Sequence, residues 1–524
     1  MRLFDNTRRD AHRSALALVV SGVIALAAGA ASAAPISPPS LKTDSSTVFD
    51  TNASLRYGVG NDVVSWDPHK AGSSRDNELL FLVYDRLVHV LRDGSYRPGL
   101  AKSWDFSDDG LSVTFHLQPG VKFQDGTDFD AAAVKANIER AKTLEGSTAA
   151  ASLSTVKSVE IVDPLTVRFQ LTQPNSLLPN ILADRAGAMI SPAAFGNPEL
   201  GTRPVGAGMF KLESYVRNSK AVAKRWDGYW APELVKAAGV EMFIMQDESA
   251  RVNALLSGQI DAAFIPTAEV DRVKAAGINV DTNPTLEQVW MNVDWGAAPL
   301  NNLKIRQAIA YGIDRQGLID LVEFGYGTPT SQLIHPYAPE FIAEIDHTYD
   351  YNPEKALKLI KESGVKDLNV TFLYFQGNDW SLRLAQAVQA QLGALGFKVT
   401  LRAIDRAAAV EALYVKKGVN MASTKIGFPL GIELLLNAVY SKARQNIRNH
   451  PAGEADSYLE KAMSAKSVEE RNEWARKANQ EAVTYLPNIA LYNTVGPFAV
   501  AKGVQLEKVA PARTEFYNAG HIKK

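Results

Sequence analysis

The residues that could perform acid–base, nucleophilic or metal chemistry are present in this chain, but they are scattered. Its 524 residues include 8 histidines and 57 acidic residues, and no cysteine. No two histidines have the spacing of metal ligands, and no two carboxylates stand out as an acid–base pair. The Gly-x-Ser-x-Gly, His-Glu-x-x-His and phosphate-loop motifs are absent from the sequence. The sequence therefore predicts a protein that is not an enzyme and that has no cofactor and no metal site.

The elements that would position a binding site are clearest near the middle of the chain. Residues 289–293 are aromatic and β-branched, which is typical of a strand. Further on, Asn301 or Asn302 offers a side-chain oxygen to cap a helix, whose apolar residues recur at near-helical spacing. Asp314 caps a second, shorter helix. A strand followed by two helices indicates an α/β domain.

The N-terminal residues 1–33 have the pattern of a signal peptide. Four arginines precede the apolar run 15–28, and Ala31-Ser32-Ala33 fits a cleavage site. A membrane anchor is the alternative, but the run is short and rich in Gly and Ala. Cleavage predicts a periplasmic protein, and the residues around the arginine pair favour Sec over twin-arginine export. The following residues, 34–52, are rich in Pro, Ser and Thr and predict a disordered leader.

Composition restricts the possible partners of the exported chain. Without residues 1–33 it has 52 basic and 55 acidic residues, a net charge of −3, which argues against nucleic acid as a partner. No later stretch approaches 18 continuous apolar residues, so the mature protein should be soluble. Without cysteine it has no lipid-modified N-terminus. A chain of this length predicts two or more lobes.

Several short motifs occur in an order that is more informative than any one of them. Residues 306–315 read Arg-Gln-Ala-Ile-Ala-Tyr-Gly-Ile-Asp-Arg, and residues 100–126 contain Ser-Trp, Asp-Gly and Gly-Val-Lys-Phe motifs. A Tyr-Trp turn follows at 226–230 and a Gly-Gln-Ile-Asp motif at 258–261. Together these motifs, spread over about residues 55–516, resemble the extracytoplasmic solute-binding proteins of peptide and nickel ABC importers.

The resemblance implies an α/β fold with two lobes, that of the type II periplasmic binding proteins of the large cluster. An extra subdomain is inserted in the first lobe, and two hinge crossings, near 289–293 and 486–492, join the lobes. The implied division assigns three separate segments, 53–90, 205–289 and 487–524, to lobe I. It assigns 91–204 to the inserted subdomain and 290–486 to lobe II.

A solute-binding protein needs aromatic surfaces and a few oriented polar groups in the cleft between its lobes. Three segments of the chain would provide them, and the expected ligand-binding residues are Trp66, His69, Ser73, Arg185, Gln288, Trp290, Asn292, Lys425 and Phe428. Structural alternatives remain for two of the three segments. Trp66 fits the core equally well, His69 fits a turn, and Trp290 fits a packed strand.

Lys425 gives a further expectation about the ligand. Peptide binders of this family carry a Trp and an acidic residue in this region, whereas residues 423–432 contain no acid. An unpaired lysine in a partly dry cleft is costly unless the ligand carries an opposite charge. An anionic ligand is therefore expected, unless Lys425 points to solvent or pairs with Glu433.

The predicted function is a receptor that captures a short peptide or similar polar solute and delivers it to the permease subunits of an ABC importer. Two alternatives stay open. One is a sensor that presents its ligand to a membrane signalling receptor, and the other is a binder of a non-peptide solute such as an opine, a sugar acid or a metal chelate. A monomer is expected.

Overall fold

A computed structural model describes residues 46–72, 76–91, 95–405, 408–409, 411–412, 420–427, 430–443, 446, 451–510 and 513–523. All of them lie within one unit of the chain, Pro35–Lys524. Ser73 and Phe428, two of the predicted site residues, and the predicted signal peptide lie outside the described residues.

The described residues form a mixture of strands and helices along the whole chain. The strands are β1 (Ser54–Val59), β2 (Val88–Val90), β3 (Tyr96–Pro98), β4 (Ala101–Phe106), β5 (Ser112–Leu117), β6 (Val156–Asp163), β7 (Thr166–Leu171), β8 (Phe210–Val216), β9 (Lys220–Arg225), β10 (Gly239–Ile244), β11 (Ala262–Phe264), β12 (Asn279–Asp281), β13 (Pro284–Val293), β14 (Gly327–Pro329), β15 (Asn369–Phe375), β16 (Lys398–Ile404), β17 (Met421–Gly427), β18 (Asn488–Val495), β19 (Phe498–Val500), β20 (Val504–Ala510) and β21 (Arg513–His521). The α-helices are α1 (Asn77–Val83), α2 (Ala131–Thr143), α3 (Leu178–Ile181), α4 (Glu248–Leu256), α5 (Val270–Ala275), α6 (Leu303–Gly312), α7 (Arg315–Val322), α8 (Pro353–Ser363), α9 (Asp379–Ala394), α10 (Gly431–Ala438), α11 (Ala455–Met463) and α12 (Val468–Tyr485).

Two large sheets organise these elements. The first sheet has the order β12-β19-β11-β1-β10-β9-β8, and the second has the order β14-β18-β13-β17-β15-β16. In the first sheet β1 pairs in parallel with both β10 and β11, although long stretches of chain separate these strands. We call the regions built on these two sheets the first lobe and the second lobe.

A smaller four-stranded antiparallel sheet, β4-β5-β7-β6, lies between β1 and β8 in the sequence. Helix α2 packs on it and begins where Asp130 accepts a hydrogen bond from the Ala133 backbone N–H, a normal helix cap. Alternating residues of β5, Val113, Phe115 and Leu117, are buried in its core. This sheet and its helices form the inserted subdomain.

The helix caps predicted from the sequence are present in the second lobe. Asn302, one of the two candidates, accepts from the Lys304 backbone N–H and begins α6. Asp314 accepts from Gly317 and begins α7. The predicted strand at 289–293 is the end of β13.

The chain crosses between the two sheets twice. β12 and β19 belong to the first sheet, while β13 and β18 belong to the second, so the crossings lie at 282–283 and 496–497. The hinge positions predicted at 289–293 and 486–492 therefore fall mainly on paired strands, because β13 and β18 pair with each other over most of their length. The predicted division into domains stays a prediction.

The end of the predicted leader differs from a disordered segment. Phe49 pairs with Ile522 in an isolated bridge and is buried. Asp50 donates its backbone N–H to the His521 carbonyl at 2.8 Å. Residues 49 and 50 are therefore part of the fold, although they precede the predicted start of lobe I at residue 53.

Candidate functional site

The loop between β1 and α1 carries two predicted site residues that the structure describes, Trp66 and His69, and is held by an ion pair with the inserted subdomain. Arg140 of α2 donates through Nη2 to Asp67 Oδ2 at 2.6 Å and through Nη1 to His69 Nδ1 at 2.8 Å. The carbonyl of His69 accepts from the Thr148 backbone N–H at 2.8 Å. These contacts fix the loop on the subdomain.

The state of the His69 ring follows from these contacts. Because Arg140 donates to Nδ1, the proton of the neutral ring is on Nε2. Nε2 is buried and has no hydrogen-bond partner among the described residues. Burial lowers the pKa of His69 to about 4, Asp67 opposes the shift, and Arg140 adds to it. His69 is therefore a neutral donor at physiological pH.

The other two described residues expected near this loop differ in their surroundings. Trp66 is fully buried in the core of the first lobe, with its ring edge-on to Tyr215 at 5.5 Å between centroids. This is the core position that the sequence left as an alternative. Arg185 donates through Nη1 to the Ala71 carbonyl at 2.7 Å, so the inserted subdomain brings it to the loop.

Strand β13 carries three further predicted residues on one face. Gln288, Trp290 and Asn292 alternate along the strand and therefore point to the same side of the second sheet. Gln288 Nε2 donates to Asn493 Oδ1 at 2.6 Å, while its Oε1 is buried without a partner among the described residues. Trp290 Nε1 donates to Asn292 Oδ1 at 3.2 Å.

Trp290 is fully buried in an apolar cluster between the second sheet and helices α10 to α12. Trp290 is therefore a packed strand residue, which is one of the two alternatives that the sequence left open. Its role in ligand binding stays a prediction.

Lys425 lies on the opposite face of the same sheet. Its partner across the ladder is Val289, and the partner of Trp290 is Thr424, so Lys425 and Trp290 point to different sides. Lys425 Nζ is 3.5 Å from Glu323 Oε1, so the Lys425 ammonium is paired with a carboxylate of the protein. The expectation of an anionic ligand at Lys425 loses its basis.

Glu323 is the centre of this arrangement, and the sequence analysis missed it. Its carboxylate is buried and accepts from Trp380 Nε1 at 2.8 Å and from the Tyr492 hydroxyl at 3.2 Å. Burial, with the Glu323 charge and hydrogen bond adding to it, raises the pKa of Tyr492 well above its usual range. Because Glu323 is distant in sequence from Lys425, only the pairing of β13, β17 and β18 brings these groups together.

We call Trp66, His69 and Arg185 the loop group, and Gln288, Trp290 and Asn292 the strand group. No hydrogen bond among the described residues joins the two groups. The side-chain bonds of His69 and Arg185 stay within the first lobe and the inserted subdomain, and those of Gln288, Trp290 and Asn292 stay within the second lobe. The structure therefore brings the residues within each group close to one another, but the two groups lie on different lobes.

A contact that the sequence analysis also missed joins the inserted subdomain to the second lobe. Asn180 Nδ2 donates to Glu433 Oε1 at 2.7 Å, so Glu433 pairs with this amide and not with Lys425. Arg471 Nη1 donates to the Tyr96 hydroxyl at 3.1 Å. A signal for Arg471 was present in the sequence, because it occupies the same helical face as three alanines of α12, which are buried.

The described residues offer no candidate metal site and no candidate membrane span. No cluster of three His, Cys, Asp or Glu side chains that could hold a metal ion occurs in the described part of the chain. No helix among these residues has the length and apolar character needed to cross a membrane.

The chain was compared with protein families and with known structures. The model of the bacterial extracellular solute-binding proteins, family 5 (middle region), matches residues 95–431. The glutathione-binding protein GsiB of Salmonella paratyphi A is 34% identical over 379 residues, which cover 70% of this chain and 73% of GsiB. The chain belongs to family 5. It is a substrate-binding protein of the ABC-importer type.

Solved structures share the fold of this family 5 protein. The ABC transporter substrate-binding protein CtaP from Listeria monocytogenes has a TM-score of 0.79 and 23% identity, covering 90% of this chain and 100% of CtaP. HbpA2 from Haemophilus parasuis has a TM-score of 0.81 and 21% identity, covering 89% and 99%. The predicted family, the two-lobed α/β fold and the solute-receptor function are confirmed.

Proposed function

We propose that this family 5 protein captures a short peptide of the glutathione type, or a similar polar solute, and delivers it to an ABC permease. The observation that carries the proposal is the 34% identity to the glutathione-binding protein GsiB over 379 residues. The residues proposed to contact the ligand are His69 and Arg185 of the loop group and Gln288 and Asn292 of the strand group, because Trp66 and Trp290 are fully buried in apolar cores.

Two buried polar atoms of these groups support a peptide-like ligand. His69 Nε2 carries a hydrogen and Gln288 Oε1 is an acceptor, and neither has a partner among the described residues. A buried donor or acceptor without a partner costs about 1–3 kcal/mol. A peptide has carbonyl oxygens and amide N–H groups, so it offers a complement to each atom. Ligand binding would thus recover the free energy that is lost while these two atoms have no hydrogen-bond partner.

The first experiment identifies the ligand. Native mass spectrometry of the protein purified from its periplasm is expected to show a bound solute of peptide mass, and calorimetry then measures affinities for glutathione and for di- and tripeptides. A co-purified opine, sugar acid or metal chelate, with no peptide binding, would contradict the peptide proposal and leave the solute receptor intact.

The second experiment tests the contacts with a matched pair of variants. Gln288→Glu replaces the side-chain amide with a carboxylate of the same shape, and it should weaken binding of the identified ligand about tenfold. Gln316→Glu changes an exposed glutamine on α7, whose amide donates to Asp320, and should leave the affinity unchanged. Equal affinities for both variants would remove Gln288 from the site.

Export and delivery belong to the same proposal. Cleavage after residue 33 would place the mature protein in the periplasm as a monomer without a lipid anchor. N-terminal sequencing of the periplasmic protein should begin at Ala34, and light scattering should give the mass of one chain. Uptake of labelled ligand that is lost when the permease genes are deleted separates import from sensing.

A further inference from the structure

The inserted subdomain touches the second lobe at a place that includes neither crossing. Besides the bonds of Asn180 and Tyr96, Ser176 donates its backbone N–H to the Met463 carbonyl at 3.0 Å and its Oγ to the Ala462 carbonyl at 2.9 Å. The two lobes, already joined by two stretches of chain, thus have a third, noncovalent attachment.

An apolar side chain anchors this attachment. Leu177 belongs in sequence to the inserted subdomain, yet it is buried in the cluster that contains Trp290 and the apolar residues of α10 to α12. Leu177 lies between Ser176 and α3 in the sequence, so its buried side chain and the two Ser176 hydrogen bonds belong to the same contact. An apolar anchor flanked by hydrogen bonds is typical of a specific interface.

One polar contact of the attachment involves a buried charge. Arg471 is fully buried, and its guanidinium donates to Asn472 Oδ1 on its own helix at 3.1 and 3.2 Å. Its Nη1 finds its acceptor across the lobe boundary, on the Tyr96 hydroxyl. Burial raises the pKa of Tyr96, and the Arg471 guanidinium opposes this shift. If the lobes separate, water replaces Tyr96 as the acceptor. The bond can therefore break and form again without leaving a buried charge unpaired.

We propose that Tyr96, Ser176, Leu177 and Asn180 form a releasable clasp on the second lobe, where Glu433 accepts from Asn180 and Arg471 donates to Tyr96. The clasp sets how long the two lobes stay together, and through this the residence time of a ligand between them. The effect on ligand residence time rests on the proposed function, whereas the effect on how long the lobes stay together does not. The inserted subdomain is thereby assigned a role in closing the protein.

The absence of cysteine makes the test direct. Ser158→Cys on β6 and Lys358→Cys on α8 place two spin labels at exposed positions, one on the inserted subdomain and one on the second lobe. Pulsed electron resonance then measures the distance distribution in the otherwise unchanged chain. No ligand is needed for this measurement.

The clasp is weakened by Tyr96→Phe combined with Ser176→Ala, which removes two hydrogen bonds and keeps both the aromatic ring and Leu177. The matched control is Tyr458→Phe, because the Tyr458 hydroxyl bonds Glu454 on the same lobe. The clasp variant should shift the distribution to longer distances and raise the dissociation rate of bound glutathione about tenfold. The control should change neither.

An unchanged distance distribution in the clasp variant would overturn the clasp. Circular dichroism with an unchanged melting temperature shows that the variant is folded, and Asn180→Ala provides a second variant if it is not. A protein that binds no solute but still shows the distance shift would refute the proposed function and leave the clasp standing. A shift in distance without faster ligand release would refute the link between the clasp and residence time.

Discussion

The buried His69 should make the first lobe sensitive to acid. Its folded-state pKa is about 4, against about 6.5 in an unfolded chain. Below pH 6.5 the unfolded chain binds a proton that the folded protein refuses, so stability is complete above pH 6.5 and falls as the pH approaches 4. A difference of about 2.5 pKa units corresponds to about 3 kcal/mol.

Two variants isolate this effect. His69→Gln removes the titrating ring while keeping a polar side chain beside Arg140, and His347→Gln removes an exposed histidine that is 80% accessible. Urea unfolding of the first lobe is followed at pH 7 and at pH 4. The native chain and His347→Gln should lose about 3 kcal/mol more than His69→Gln over this interval.

Direct titration completes the assay. With selectively labelled histidines, the resonance missing from His69→Gln identifies His69, and its chemical shift should remain that of a neutral ring until the pH falls to about 4. A midpoint near 6.5, or equal acid sensitivity in all three proteins, would refute the argument that burial keeps this ring neutral.

Three further predictions concern other regions of the chain. Trp290→Ala should cost about 3–5 kcal/mol of unfolding free energy, because the ring is fully buried, and a normal melting curve with weakened ligand binding would instead place it in the cleft. Lys425→Gln should leave ligand affinity within about twofold and reduce stability by less than about 1 kcal/mol, because the pair with Glu323 is partly exposed; calorimetry showing a tenfold loss would restore the anionic ligand. Although burial opposes the shift, His89, Trp230 and Arg86 lower the pKa of Asp85 to about 2. The ionised Asp85 should therefore add about 2 kcal/mol to the free energy of unfolding above pH 4, and this stabilisation should be lost as the pH falls towards 2. In acid unfolding experiments, Asp85→Asn should lack this pH-dependent loss.

Local chemistry explains why much of the fold could be predicted from the sequence. A cap is decided by a residue and the next three, so Asn302 and Asp314 could be read directly. The strand at 289–293 could likewise be read from its aromatic and β-branched residues. The crossings could not be placed this way, because they depend on which sheet receives β12, β13, β18 and β19.

The candidate site could be predicted less well, because its geometry depends on register. The sequence analysis expects both Trp290 and Lys425 to bind the ligand, but a ladder that pairs Trp290 with Thr424 places Lys425 on the other face of the sheet. The partner of Lys425 follows from the same ladder, since Glu323 approaches that face from the end of α7. No spacing within the sequence contains this information.

The position of β19 has a consequence for how the chain acquires its structure. This strand lies between β11 and β12 inside the first sheet, while β1 pairs with β10, so both ends of the described chain are needed in one sheet. Pairings this distant in sequence form slowly, because a long loop must close before any contact rewards it. Synthesis must pass residue 500 before the first lobe can be completed. A nascent chain of this kind therefore stays without a finished first lobe until late in its synthesis.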